Sequence, residues 1–163
     1  MAWIFLLKPD IDHKRLITNE VCIHGLLYDA RFSKKDKMNF LDSASIIVEE
    51  MNNSQSKTIY YTNKAGAFFF KLPLNKLFQI TLKKDGWLSK KLKLNTQLNE
   101  KEIRQFHLFI DAELYRKNTI HDLNEDDLPV MEIHYDESEM RFLTDDTEAI
   151  KFYKKIRKLH HKK

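Results

Sequence analysis

The chain has 163 residues, a formal net charge of +4, 42% hydrophobic and 12% aromatic residues; this suits one domain with an ordinary core and excludes disorder throughout. One cysteine, Cys22, excludes an intramolecular disulfide, and three dispersed glycines exclude the glycine-rich phosphate loop on which nucleotide-cofactor enzymes rely. The charge is uneven: carboxylates crowd Asp111 to Glu148, whereas every charged residue from Lys151 to Lys163 is basic, the pattern of an acidic loop followed by a solvated basic tail.

The first segment, Trp3-Ile4-Phe5-Leu6-Leu7, is apolar but stops at Lys8-Pro9-Asp10. It lacks the basic start and long apolar core of a signal peptide and falls short of the roughly 20 residues of a membrane span. It reads as an edge strand or a partner-binding arm, which makes Trp3, Ile4, Phe5 and Leu6 candidate partner contacts. The expected location is cytoplasmic, or periplasmic and envelope-associated if an export signal has been removed.

Cys22 to Asp29 reads as a strand in which Cys22 alternates with His24. That setting favours packing over nucleophilic catalysis, which needs a neighbouring base and an electropositive, partly open environment. Ser33 to Asn39 is a polar loop. Ala44, Ile46 and Val48 share one face of the next strand, and Asn52 to Ser56 is a turn-rich link. Phe68, Phe70 and Leu72 share another face before Pro73 to Asn75 ends that strand; Phe78, Ile80 and Leu82 repeat the alternation, and Leu92 and Leu94 carry it to Thr96. Gly25, Gly66 and Gly86 are each expected at a strand end, where the backbone takes positive φ or another strand approaches closely. Strands at intervals of about 10 residues without helical periodicity predict an antiparallel sandwich.

The succession Gly25-x-x-Tyr28-Asp29-Ala30, Leu41-Asp42-Ser43-Ala44-Ser45-Ile46, Thr62-Asn63-x-x-Gly66-x-Phe68-x-Phe70-x-Leu72-Pro73 and Phe78-x-Ile80-x-Leu82-x-Lys84-x-Gly86-Trp87 resembles the carboxypeptidase regulatory-like domain, a transthyretin-like, prealbumin-like β-sandwich. The resemblance covers residues 21 to 96. It departs at Ala65, beside Gly66 where a plain turn pair is usual, and at Trp87, where tyrosine is usual. It implies a mainly β fold without an active site of its own, and membership of an envelope-associated assembly.

Beyond it, Phe106 to Leu114 and Leu128 to Tyr135 read as further strands, and Phe142 to Asp146 leads into a helix. Asp145 and Asp146 supply the helix start, Glu148 lies in the first turn, and Lys154, Lys155, Arg157 and Lys158 gather toward the end that favours cations. Ala149, Phe152, Tyr153, Ile156 and Leu159 form one apolar stripe, directed at the chain's own sandwich or at another subunit. Phe152, Tyr153, Ile156 and Leu159 are therefore candidate partner contacts. The expected organisation is an arm (1–20), a transthyretin-like sandwich (21–96), a strand-containing extension with an acidic loop (97–143) and an amphipathic basic helix (144–163).

Each candidate for chemistry has a plainer reading. His134-Tyr135-Asp136-Glu137 has the His-x-x-Glu spacing of a zinc carboxypeptidase but lacks the further ligand and acid-base group that catalysis requires. Glu132, His134 and Asp136 read as one exposed polar strand face. Asp122 to Asp127 lacks the glycine and closing glutamate of an EF-hand, and His160-His161 reads as a frayed tail. No catalytic residue, metal or cofactor is expected. The function these readings favour is a non-catalytic interaction or structural module, with other proteins of an assembly or further copies of the chain as partners. The alternative is a nucleic-acid or polyanion binder using the Lys83–Lys93 hairpin, with Lys84, Lys90, Lys91 and Trp87, together with the basic helix.

Overall fold

The computed structural model describes residues 19–30, 38–52, 56–98, 106–117 and 128–160. The arm bearing Trp3, Ile4, Phe5 and Leu6, most of the 33–39 loop, the 122–127 acidic run and His161 lie outside the described residues, as do the side chains of Tyr153, Leu159 and His160. The described chain is mainly β. In order it forms β1 (Glu20–Asp29), β2 (Ser45–Glu50), β3 (Lys57–Tyr61), β4 (Ala67–Pro73), β5 (Leu77–Lys83), β6 (Lys90–Asn95), β7 (Phe106–Leu114), β8 (Met131–Asp136), β9 (Arg141–Asp145) and the helix α1 (Thr147–His160).

Two sheets make a sandwich, one of three strands in the order β4-β1-β7 and one of six in the order β3-β2-β5-β6-β8-β9. The period-two pattern is what places them face to face. Ile46 and Val48, Phe68, Phe70 and Leu72, Phe78, Ile80 and Leu82, and Leu92 and Leu94 are all buried, as the alternation requires of residues on one side of a pleated strand. The core they form also takes Val21, Ile23 and Leu27 from β1 and Leu108, Ile110, Ala112 and Leu114 from β7. The buried Thr62 hydroxyl is satisfied: Oγ1 donates to the Leu41 carbonyl at 2.5 Å and accepts the Ala44 N–H at 2.8 Å, tying the start of β2 to the end of β3.

The structure corrects the sequence reading at several points. The sandwich is mixed rather than wholly antiparallel, because β1 pairs with β7 and β6 with β8 in parallel. The strands of the expected extension join the two sheets, β7 completing the small one beside β1 and β8–β9 extending the large one. Gly25 lies in the middle of β1, opposite Phe68 and Ile110, not at a strand end. Added there, a Cβ would collide with the Ile110 carbonyl oxygen and the Phe68 ring, so close approach alone demands glycine. Gly66 (φ 69°) and Gly86 (φ 87°) do take the left-handed conformation expected of them. Among the described residues, β3 is a strand that the sequence reading did not name.

The helix start follows from its carboxylates. Asp146 offers its carbonyl to the Ile150 N–H at 2.8 Å, and Asp145 Oδ1 accepts the Thr147 N–H at 3.1 Å. That bond holds the Asp145 carboxyl below its ordinary range. Of the apolar stripe, Ala149 and Ile156 are 4% and 2% exposed and belong to the core, with the half-buried Phe152 packed against it. Ile156 is thus occupied by its own molecule, which corrects its assignment as a partner contact.

Candidate functional site

The residues with the most unusual placement stand on the outer face of the three-stranded sheet. Because Ile23 and Leu27 point into the core, parity sends Cys22, His24 and Leu26 the other way; because Phe68 and Phe70 point in, Phe69 points out. In β7 the same rule turns out His107, Phe109 and Asp111. Strand register then sets these side chains in rows: His24 lies between Phe69 of β4 and Phe109 of β7, and Leu26 lies beside Asp111.

The rows are in contact. The His24 ring lies 4.7 Å from Phe69 and stacks at 4.9 Å on Phe109, centroid to centroid. His107 stacks on His24 at 5.3 Å, and a 3.1 Å hydrogen bond joins His24 Nε2 to His107 Nδ1. Burial and the neighbouring His107 push His24 below its ordinary value of 6.5, so the ring is neutral at pH 7. Asp111 Oδ1 accepts the Leu26 N–H at 3.2 Å; its carboxyl is raised by burial, against the pull of that bond. Phe69 remains 53% exposed, while Cys22 is 1% exposed. The face is therefore aromatic, weakly polar and built on rigid strands. It can offer apolar contact area whose charge changes when His24 takes up a proton.

The residues singled out from sequence fall elsewhere. His134 and Glu137 are exposed on and just after β8; Glu132 is held by Lys93 Nζ at 2.9 Å, and the Asp136 carboxylate accepts from Ser138 Oγ at 2.6 Å and from the Glu139 N–H at 2.9 Å. Those bonds lower the Asp136 carboxyl, and among the described residues no group of three histidine, cysteine, aspartate or glutamate side chains is placed to hold a metal. In the lysine hairpin, Lys84 Nζ donates to the Asp42 carbonyl at 2.6 Å, Lys90 is 2% exposed with Nζ 3.5 Å from the Glu113 carbonyl, and Trp87 Nε1 donates to Asp29 Oδ1 at 2.9 Å. Lys83 and Lys91 are the hairpin lysines left exposed.

Asp29 ties three distant segments together. Its other oxygen, Oδ2, accepts from Arg116 Nε at 2.8 Å and a terminal guanidinium nitrogen at 2.6 Å, and the same guanidinium lies 5.1 Å from the centre of the Trp87 ring. Phe152 lines a shallow groove with Leu128, Pro129 and Val130, rimmed by Lys151 and Lys155.

The His24–Phe69–Phe109 row escaped sequence analysis because each residue is the unremarked odd member of an apolar run. The signal was present in Phe68-Phe69-Phe70, where three consecutive aromatics force one to the outside.

No family model matches the chain, and no curated protein matches it. Solved structures similar to it include the major plantain pollen allergen Pla l 1, at 12% identity and a TM-score of 0.42 over 60% of this chain and 94% of that one. Catechol 1,2-dioxygenase from Acinetobacter, at 11% identity and a TM-score of 0.44, is similar over 71% of this chain and 57% of the enzyme. S.CueP, at 12% identity and a TM-score of 0.38, is similar over 61% and 64%. Likenesses of this size speak to none of the chain's chemistry. Among the described residues, no helix is long and apolar enough to cross a membrane.

Proposed function

We propose that the chain is a non-catalytic interaction or structural module, one subunit of a larger assembly linked to the cell envelope, on a sandwich like that of carboxypeptidase regulatory-like proteins. The observation that carries this reading is the outward row Phe69–His24–Phe109. A sheet face left to water ordinarily presents polar residues at its outward positions. Here three rings stand at those positions in cross-strand contact, with Phe69 half exposed. Aromatic side chains held by strands lose little conformational freedom when a partner covers them, which is why such residues anchor interfaces. The envelope link rests on the resemblance over residues 21–96.

The test is the native-state mass of the full chain recovered from its own source, beside a Phe69→Lys variant. The wild-type chain is expected in species heavier than two copies of the 19.6 kDa polypeptide. Phe69→Lys, with unchanged thermal unfolding, is expected in lighter ones. Wild-type protein no heavier than a dimer, or a complex indifferent to the substitution, sinks the proposal.

A further inference from the structure

Among the described residues the six-stranded sheet ends at β3, and β3 itself lacks the features that keep a sheet edge solitary. Such edges are ordinarily guarded by charges, proline or a bulge. Lys57-Thr58-Ile59-Tyr60-Tyr61 has one charge, at its first residue, and that charge is met by Glu49 Oε1 at 3.2 Å on the neighbouring strand. Ile59 is 46% and Tyr61 65% exposed.

The backbone fixes which groups are left over. β2 and β3 run antiparallel with Ile47 opposite Ile59, and their flanking bonds run from the Thr62 N–H to the Ala44 carbonyl and from the Glu50 N–H to the Ser56 carbonyl. Antiparallel ladders alternate bonded and non-bonded pairs, so residues 58 and 60 spend their N–H and C=O groups on β2. Lys57, Ile59 and Tyr61 aim theirs away from the sheet. The same three residues carry the side chains of the sheet's outer face.

We infer that β3 pairs antiparallel with β3 of a second copy of this chain, about a two-fold axis through Ile59. In that register Ile59 faces Ile59 of the partner subunit and Lys57 faces Tyr61 of the partner subunit. Every outward N–H and C=O of the strand then meets a complementary group. No like charges are opposed, since the ammonium of Lys57 comes beside a tyrosine ring, and the Lys57–Glu49 pair is left in place. Ile47 and Ile59 of both copies form one apolar row across the joint. The closed two-fold limits the product to a dimer, with β3 consumed on both sides. This inference does not rest on the interaction proposal above, which concerns the other sheet.

The test is sedimentation equilibrium of the purified full chain from about 1 µM to about 1 mM. The average mass should climb from 19.6 kDa toward twice that value. Ile59→Pro removes an N–H that β2 does not use, and Tyr61→Lys sets two lysines face to face; each should weaken association at least about tenfold with circular dichroism unchanged. Where Ile59→Pro lowers stability, Tyr61→Lys decides. An Ile59→Cys chain should cross-link under mild oxidation to a dimer on a non-reducing gel, while Phe69→Cys should not. A wild-type chain monomeric throughout, or association untouched by both edge variants, overturns the inference. It would leave the Phe69 proposal standing.

Discussion

A methyl group at position 25 would occupy space held by the Ile110 carbonyl oxygen and the Phe68 ring. Neither yields cheaply, because one is backbone in a ladder and the other is core. Gly25→Ala is therefore expected to cost about 3 kcal/mol, read as a lowered denaturant midpoint. Gly86 has a left-handed φ of 87° but open space where a Cβ would stand, so Gly86→Ala should cost only about 1 kcal/mol. Equal losses in the two variants would contradict the crowding argument. His24 gives a pH dependence whose sign follows from its lowered value. Below pH 6.5 the unfolded chain takes up the proton more readily than the folded one, so the stability this residue contributes is complete above 6.5 and is lost as pH falls toward the folded value. Asp111, raised above 3.8, acts in the opposite sense and adds stability as pH falls through its folded value. Urea midpoints from about pH 7.5 to about pH 5 should show the first decline, and His24→Gln should flatten it; an unchanged slope would remove His24 as its source.

At the scale of elements, the helix and the Asp29 junction show how distant segments are pinned. Ile156 reaches the core from α1, so Ile156→Ala should cost about 2–4 kcal/mol. Phe152, half-buried beside an open groove, should cost less when truncated. A reversed order in thermal denaturation would mean that the helix sits differently. Asp29→Ala leaves the Trp87 indole N–H and the Arg116 guanidinium without their acceptor; the expected result is a lower melting temperature and a shifted tryptophan emission. The strands that alternation identified are those with one wet face, such as β4 and β5, where period two is plain in the sequence. β3 was missed because its inward residues, Thr58 and Tyr60, are polar enough to hide the period. Gly25 was misplaced because glycine marks turns and close approaches alike, and only the neighbouring strand tells them apart.

For the molecule as a whole, the class and the direction of burial were legible from the residues, but the pairing order was not. Alternation reports which side of a strand is buried; it carries no record of which strand lies next to it. That is why residues 21–96 read as a self-contained sandwich although β7, beyond that range, lies against β1 along its length. Of the site, the sequence carries the outward aromatic in Phe68-Phe69-Phe70 but not the grouping, since His24, Phe69 and Phe109 meet only through lateral register. A fragment of residues 19–98 loses Leu108, Ile110, Ala112 and Leu114 from the core. It should show no cooperative unfolding transition, and a sharp one would restore the shorter domain.

The pairing of β1 with β7 also sets a clock on biosynthesis. Leu26 and Asp111, neighbours in the finished sheet, are 85 residues apart in the chain, which at 5–20 residues per second is roughly 4 to 17 s of translation. Throughout that interval the nascent polypeptide carries a strand rich in Val, Ile and Leu with one flank unclaimed. β1 thus stays incomplete until β7 has been made, and a ribosome-associated chaperone has those seconds in which to hold it.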